Sequence, residues 1–213
     1  AAFRFCSASH KAFLRLLLAV VPACMPGVAL AHAPIEGMDS FYNGVLHPVL
    51  VPAHLLAIMT AGMLIGQQGV KRMQAPLIAF LFVLIAALAT TGFLDLSLPE
   101  SVGERLLLSM AVLCGVLVAV EMELSLMPLM ALGIVLGFLL GMDSSQPELQ
   151  GRAKLAILTG TGVGGFLLIL YAAAAAEFAN RHWQKIGIRI LGSWATASAF
   201  IVLAFSFASI SDV

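Results

Sequence analysis

Long apolar runs dominate this chain, and polar residues interrupt them only briefly. Six segments approach the length of roughly 20 residues that a helix needs to cross a bilayer, namely 46–66, 76–96, 105–121, 124–142, 154–178 and 187–208. Charged residues make up 10% of the sequence, against about a quarter in a soluble domain. Because lipid offers no partners to backbone groups, each segment must be helical, and the pattern predicts an all-α integral membrane bundle of six transmembrane helices.

Residues 1–31 have the pattern of a cleavable signal peptide. A basic beginning is followed by a short apolar stretch over 16–21 and by the small-x-small sequence Ala-Leu-Ala over 29–31. We expect cleavage after this site, which leaves residues 32–213 as a single six-helix transmembrane domain. The alternative is an uncleaved membrane anchor.

The charges outside the apolar runs predict an orientation. The connections 67–75 and 179–189 together carry five Lys or Arg residues, whereas the alternating connections are acidic and have three at their edges. Since cytoplasmic loops are enriched in Lys and Arg, we expect a multi-pass protein of a bacterial-type inner membrane with both mature termini extracytoplasmic. The formal net charge is zero, so no basic surface for nucleic acid is expected, and the lipid bilayer is the expected partner.

Two histidines in the first apolar segment are the strongest functional signal. Ionisable side chains are costly inside a bilayer, so a histidine that is kept there is a functional hypothesis. His47 precedes Pro48, which suits a helix start, and His54 lies seven residues further along. On a continuous helix the two residues are about 10 Å apart, so we expect separate stations and not one chelate. The alternative is structural, with His47 at the interface and His54 bonded to a neighbouring helix.

Motifs of common enzymes do not occur in the sequence. It contains no HExxH, no GxSxG and no phosphate-binding loop that ends in Lys and Ser or Thr. We therefore expect neither an enzyme nor a resident cofactor.

Glycines recur at helical spacing in two of the later segments. Gly133, Gly137 and Gly141 are four residues apart, and Gly160, Gly162, Gly164 and Gly165 crowd the fifth segment. Small residues let helix backbones approach each other closely in lipid. We interpret these glycines as packing faces within the bundle, and a dimer face is the alternative.

The residues around the two histidines resemble a known family. Gly-Val-Leu-His-Pro over 44–48, followed by His-Leu-Leu-Ala-Ile-Met over 54–59 and by Gly62, is similar to the HupE/UreJ membrane proteins. Those proteins accompany nickel hydrogenase and urease systems. The resemblance implies a secondary permease for nickel or a related divalent metal, with Ni²⁺ or Co²⁺ as the transported ion.

The resemblance also implies a set of ligands for the ion. Its members are His47, His54, Asp143 and His32. On this interpretation His47 receives the ion, His54 holds it deeper and Asp143 supplies a carboxylate. The amine and imidazole of His32 together form a weak chelate at the mature N-terminus.

The chain departs from the family pattern within both of its motifs. Ala53 and Val51 stand where the family has an acid and a glycine. Leu136 and Leu140 stand where it has two histidines, in a segment that keeps its glycines and its terminal acid. Since Ni²⁺ favours imidazole and carboxylate ligands, these changes support a second hypothesis. It is a transport-deficient accessory or structural subunit with partner subunits in a larger membrane complex.

Overall fold

The computed structural model describes residues 37–146 and 149–208. Within these ranges the protein is entirely helical, and the helices are α1 (Ser40–Leu50), α2 (Pro52–Gln67), α3 (Val70–Leu94), α4 (Glu100–Ala119), α5 (Leu126–Asp143), α6 (Gly151–Glu177) and α7 (His182–Ala208). The predicted signal peptide, its cleavage site and His32 lie outside the described residues.

The helices reproduce the predicted spans, with one difference in the first. Helices α3 to α7 are each long and apolar enough to cross a membrane, and α1 and α2 form a sixth span if they are counted together. The all-α bundle is therefore confirmed. The expectation of one continuous helix over 46–66 is wrong, because α1 and α2 meet at an angle of 70°.

A proline explains the break between α1 and α2. Pro52 is the first residue of α2 and has no N–H with which to extend the hydrogen bonds of α1. It also restricts the residue before it, and Val51 accordingly has an extended backbone with φ −88° and ψ 110°. The sequence Val-Pro therefore ends one helix and begins the next.

The helices are joined at two opposite ends of the bundle, here named after one residue each. The Gln68 end consists of the turns 67–70, 119–126 and 177–182. The Asp143 end consists of the connections 94–100 and 143–151. At the Gln68 end, the Gln68 side chain donates a hydrogen bond to the Met122 carbonyl at 3.0 Å and accepts one from the Leu124 N–H at 2.9 Å.

The basic loops lie together at the Gln68 end, as the alternation of spans predicts. Glu121 lies 3.8 Å from Lys185 and 3.9 Å from Arg189. At the opposite end, Lys154 forms an ion pair with Asp95. The side of the membrane that each end faces stays a prediction.

Glycines bring two pairs of helices close together inside the bundle. A Cβ added to Gly133 or Gly137 on α5 would come within 2.5 or 2.7 Å of a backbone carbonyl oxygen of α3. Gly160 and Gly164 on α6 lie against the backbone of α1 in the same way. The interpretation of these glycines as packing faces within the chain is confirmed.

Burial differs strongly between α2 and α7. Along α2, Ala57, Ile58, Leu64 and Ile65 are fully buried, and the helix packs on both α4 and α6. Helix α7 packs mainly on α4 and exposes large side chains along its length, such as Trp194. The candidate histidines thus flank the beginning of the most buried helix.

Candidate functional site

The break at Val51 brings the two histidines together. His47 lies in the last turn of α1 and His54 in the first turn of α2. Their ring centroids are 5.1 Å apart and the rings are nearly perpendicular, at 75°. The expected separation of about 10 Å is wrong, because it assumed a continuous helix with a rise of about 1.5 Å per residue. The angle between the helices turns both imidazoles towards one place.

Both imidazoles are shielded from the surroundings. His47 is 7% exposed and His54 is fully buried. A buried polar ring needs hydrogen-bond partners, since an unmade bond there costs roughly 1–3 kcal/mol. His47 is therefore packed inside the bundle, and its depth in the membrane stays a prediction.

The third predicted ligand, Asp143, reaches the same place from another helix. It is the last residue of α5 and its side chain is almost fully buried. Its Oδ2 atom lies 2.8 Å from Nε2 of His54, across 89 residues of sequence. In this arrangement Nε2–H of His54 donates to the carboxylate, which fixes the orientation of the ring. The structure therefore brings His47, His54 and Asp143 together.

The start of α4 supports the carboxylate from its other side. A Cβ added to Gly103 would overlap Oδ1 of Asp143, so only glycine leaves room for this contact. Gly103 lies in the first turn of α4, where the helix dipole favours a negative charge. The sequence analysis missed Gly103, since a glycine near a helix start carries no signal of the carboxylate that will approach it.

Asn43 is a further polar residue near the site that the sequence analysis missed. It lies one turn before His47 on α1, on the same helix face, and it is buried. Its Nδ2 atom donates to the Met38 carbonyl at 3.0 Å. This bond and the Asp39 cap, which accepts from the Phe41 N–H at 2.9 Å, hold the beginning of α1. The available signal was its spacing of four residues from His47.

Apolar side chains stand at the positions where the sequence departs from the pattern that it resembles. Leu136 and Leu140 on α5 are fully buried, and Ala53 is nearly so. The candidate donors that the structure places at this point are the imidazoles of His47 and His54 and the carboxylate of Asp143. Borderline ions such as Ni²⁺ and Co²⁺ accept both kinds of donor.

The three side chains do not form a ready-made metal site. Within 37–146 and 149–208, no group of three or more His, Cys, Asp or Glu side chains is placed so that it could hold a metal ion. A histidine that binds a metal usually donates its other N–H to a carboxylate or carbonyl. The pair of His54 and Asp143 has such a bond at Nε2 of His54.

Comparison with known proteins agrees with the resemblance. The sequence profile of the HupE / UreJ protein family matches residues 18–202, which is most of the chain. The chain belongs to the HupE/UreJ family. Membership in this family implies a membrane protein that is accessory to the use of nickel or cobalt. No curated protein and no solved structure matches the chain.

This HupE/UreJ protein keeps part of the family pattern in three dimensions. The motif residues that the chain keeps are the histidine pair on α1 and α2 and the acid at the end of α5, and they lie at one site. The departures at Leu136 and Leu140 lie on the same helix as Asp143. The polar groups of this site therefore come from α1, from the start of α2 and from the end of α5.

Proposed function

We propose that this HupE/UreJ protein is a secondary permease that carries Ni²⁺ or Co²⁺ across the membrane. Its ion-binding site consists of His47, His54 and Asp143, and its basic Gln68 end faces the cytoplasm. One observation supports the proposal most: two buried imidazoles with ring centroids 5.1 Å apart lie beside a buried carboxylate at a break in a membrane span. Ionisable groups at this depth mark ion pathways, and transporters often place their sites at broken helices.

The three side chains have different parts in this proposal. His54 is the main ligand, because it is fully buried and its ring orientation is fixed by Asp143. His47 is the second ligand and approaches from α1. Asp143 supplies negative charge, which offsets part of the cost of bringing a divalent cation into a site of low dielectric.

Transport requires an opening in the apolar core between the histidine site and the Gln68 end. One turn and more beyond His54, the α2 residues Ala57, Ile58 and Ala61 are almost completely buried and apolar. An ion cannot pass such a stretch without water or ligands. We expect this opening to change the angle of α1 relative to its neighbours. Two features permit such a change, namely the break at Val51 and the glycine contacts between α1 and α6.

Substitution of the main ligand tests the proposal. We expect His54→Ala to weaken Co²⁺ binding by the purified protein about 100-fold or more, and to abolish Co²⁺ uptake into cells. Binding is measured by titration calorimetry. The matched control is His182→Ala, because His182 is an exposed histidine at the start of α7. Wild-type binding and uptake by the His54→Ala protein, at equal expression, would contradict the proposal.

The second candidate is an accessory or structural subunit of a larger membrane complex. The burial of Leu136 and Leu140 favours this candidate. In the family pattern that the sequence resembles, these two positions are histidines, and here apolar side chains fill them. Extraction in a mild detergent separates the two candidates. A single monodisperse species that binds Co²⁺ supports the permease. A stoichiometric partner together with no Co²⁺ binding supports the accessory subunit.

A further inference from the structure

A long apolar groove lies between α3 and α6, in the half of the bundle next to the Asp143 end. Its volume is about 540 Å³, and it is lined by residues from Leu81 to Phe93 on α3 and from Leu155 to Leu167 on α6. These stretches belong to the last part of α3 and the first part of α6. The groove therefore runs from the Asp143 end towards the middle of the bundle.

Two leucines form the floor of the groove, and each packs against a glycine of the opposite helix. A Cβ added to Gly92 on α3 would lie 3.2 Å from Cδ1 of Leu158, and one added to Gly162 on α6 would lie 3.2 Å from Cδ1 of Leu88. Both leucines are buried, whereas Phe93 at the rim is 73% exposed. The groove is thus closed at its floor and open to the surroundings of the bundle.

The lining of the groove offers almost nothing to a polar occupant. Among the described residues that line it, Thr159 has the only polar side chain. Its Oγ1 atom already donates to the Leu155 carbonyl at 2.7 Å. A polar group brought into the groove would lack a partner, which costs roughly 1–3 kcal/mol. The lining therefore favours an occupant that is hydrocarbon along its whole length.

The dimensions of the groove fit one hydrocarbon chain. The stretches 81–93 and 155–167 each advance by 12 residues, which is about 18 Å along a helix, and one leaflet of the hydrocarbon core is about 15 Å deep. Over this length the volume of about 540 Å³ gives a mean cross-section of about 30 Å². An extended hydrocarbon chain needs roughly 20 Å² at carbon contacts near 4 Å. A helix with its side chains is about 10–12 Å wide and needs about 80 Å² or more, so a helix rests only on the rim.

One positive charge lies beyond the groove at the Asp143 end. Arg152 precedes Leu155 by three residues and Thr159 by seven, so it continues the helix face that lines the groove. Its side chain is exposed and forms no ion pair with another described residue. The neighbouring charges Asp95 and Lys154 already form an ion pair with each other. The charge of Arg152 is therefore available to an anionic group above the groove.

We infer that the groove binds one acyl chain of a membrane phospholipid, whose phosphate group lies beside Arg152. The lipid belongs to the leaflet at the Asp143 end, because the groove begins there and is about as long as one leaflet is deep. A chain in the groove contacts the floor and both helix walls, whereas a lipid elsewhere on the bundle contacts one convex surface. The inference goes beyond the proposed function and holds whether or not the histidine site carries an ion.

Photo-crosslinking in vesicles tests the lipid site. The purified protein is reconstituted into phosphatidylglycerol vesicles with a trace of the same lipid that carries a diazirine on one acyl chain. Labelled peptides are then mapped by mass spectrometry. We expect the stretches 81–93 and 155–167 to be labelled about fivefold more than the exposed helix α7, since the groove surrounds the chain.

Filling the groove should remove this label. We expect Ala89→Trp to lower labelling of the groove about fivefold or more, because Ala89 lines the groove and the indole takes the place of the chain. Thr159→Phe fills the groove from α6 and should act in the same direction, which covers the case that one variant fails to fold. The matched control is Ala86→Trp, since Ala86 is an exposed alanine of α3 that does not line the groove.

Replacement of the arginine tests the phosphate contact. We expect Arg152→Gln to lower labelling of the groove about threefold, since a basic side chain near an anionic membrane surface contributes about 1 kcal/mol to lipid binding. The control is Arg72→Gln, an exposed arginine at the Gln68 end. Labelling that Arg152→Gln leaves unchanged overturns the phosphate contact.

Two other outcomes overturn the acyl-chain site itself. One is labelling of the groove that equals labelling of α7, or that stays the same in both Ala89→Trp and Thr159→Phe. The other is a stable dimer in mild detergent that Ala89→Trp dissociates and Ala86→Trp does not, because the groove would then face a second copy of the chain. Neither outcome depends on Co²⁺ binding by His54, so the inference and the proposed function fail separately.

Discussion

The two ends of α2 differ in how their polar groups are held. At its beginning, His54 is fully buried, and the carboxylate of its partner Asp143, the last residue of α5, lies against Gly103 in the first turn of α4. At its end, Gln67 lines an open cavity of about 150 Å³ together with Glu177 and Lys185. The imidazole at the beginning of α2 is thus enclosed by packing, whereas the amide at its end has space beside it. The difference teaches that the two ends of one buried helix can differ in how firmly they hold a polar side chain.

Removal of the carboxylate at the histidine site is the largest expected effect. Asp143→Ala leaves the buried His54 ring without the bond at 2.8 Å, and we expect the free energy of unfolding to fall by about 2 kcal/mol. The measurement is unfolding in mixed micelles by titration with a denaturing detergent. Asp143→Asn should lose less than half of this amount, because its amide oxygen still accepts from Nε2–H.

The exposed acid Glu123 provides the control for this experiment. Glu123→Ala removes a carboxylate near the opposite end of the bundle, where the side chain is exposed, and we expect a change within about 0.5 kcal/mol. Equal stability of Asp143→Ala and Glu123→Ala would mean that the pair between His54 and Asp143 contributes nothing. The contrast between the two ends of α2 would then lose its structural basis.

A methyl group at Gly103 tests whether the backbone positions Asp143. Gly103→Ala places a Cβ where the carboxylate lies, so the carboxylate must move and the His54 ring loses its fixed orientation. We expect Co²⁺ affinity to fall about tenfold, as for other residues that orient a metal ligand. The control is Gly187→Ala in α7, where an added Cβ meets nothing within 4 Å. Unchanged affinity in Gly103→Ala would show that α4 does not position the site.

The spans and the participants of the site were predictable because they depend on local chemistry. Long apolar runs must form helices in lipid whatever surrounds them, and the structure has helices in all the predicted segments. His47, His54 and Asp143 followed from the cost of burying ionisable groups and from the family resemblance. Whether they bind a metal ion stays a prediction.

The geometry of the site was not predictable from the same information. A proline such as Pro52 indicates a break in a helix. The direction of the 70° bend, however, depends on how α1 packs against α6 through Gly44 and Gly160. Such contacts join residues more than 100 positions apart. The contact of Gly103 with Asp143 was not predictable either, because it depends on the end of α5 lying beside the start of α4. Local rules predicted which residues matter, and tertiary packing decided how far apart they lie.

A change at Lys185 should have the smallest effect. Lys185 is 55% exposed and lies 3.8 Å from Glu121, so its ion pair is screened and contributes about 0.5 kcal/mol or less to stability. We expect Lys185→Gln to change the free energy of unfolding by no more than this amount, measured in the same mixed micelles. Co²⁺ affinity at the histidines should stay unchanged, since charges about 20 Å apart are screened by salt. A loss of stability as large as that of Asp143→Ala would show that the two ends of α2 hold their polar groups equally firmly.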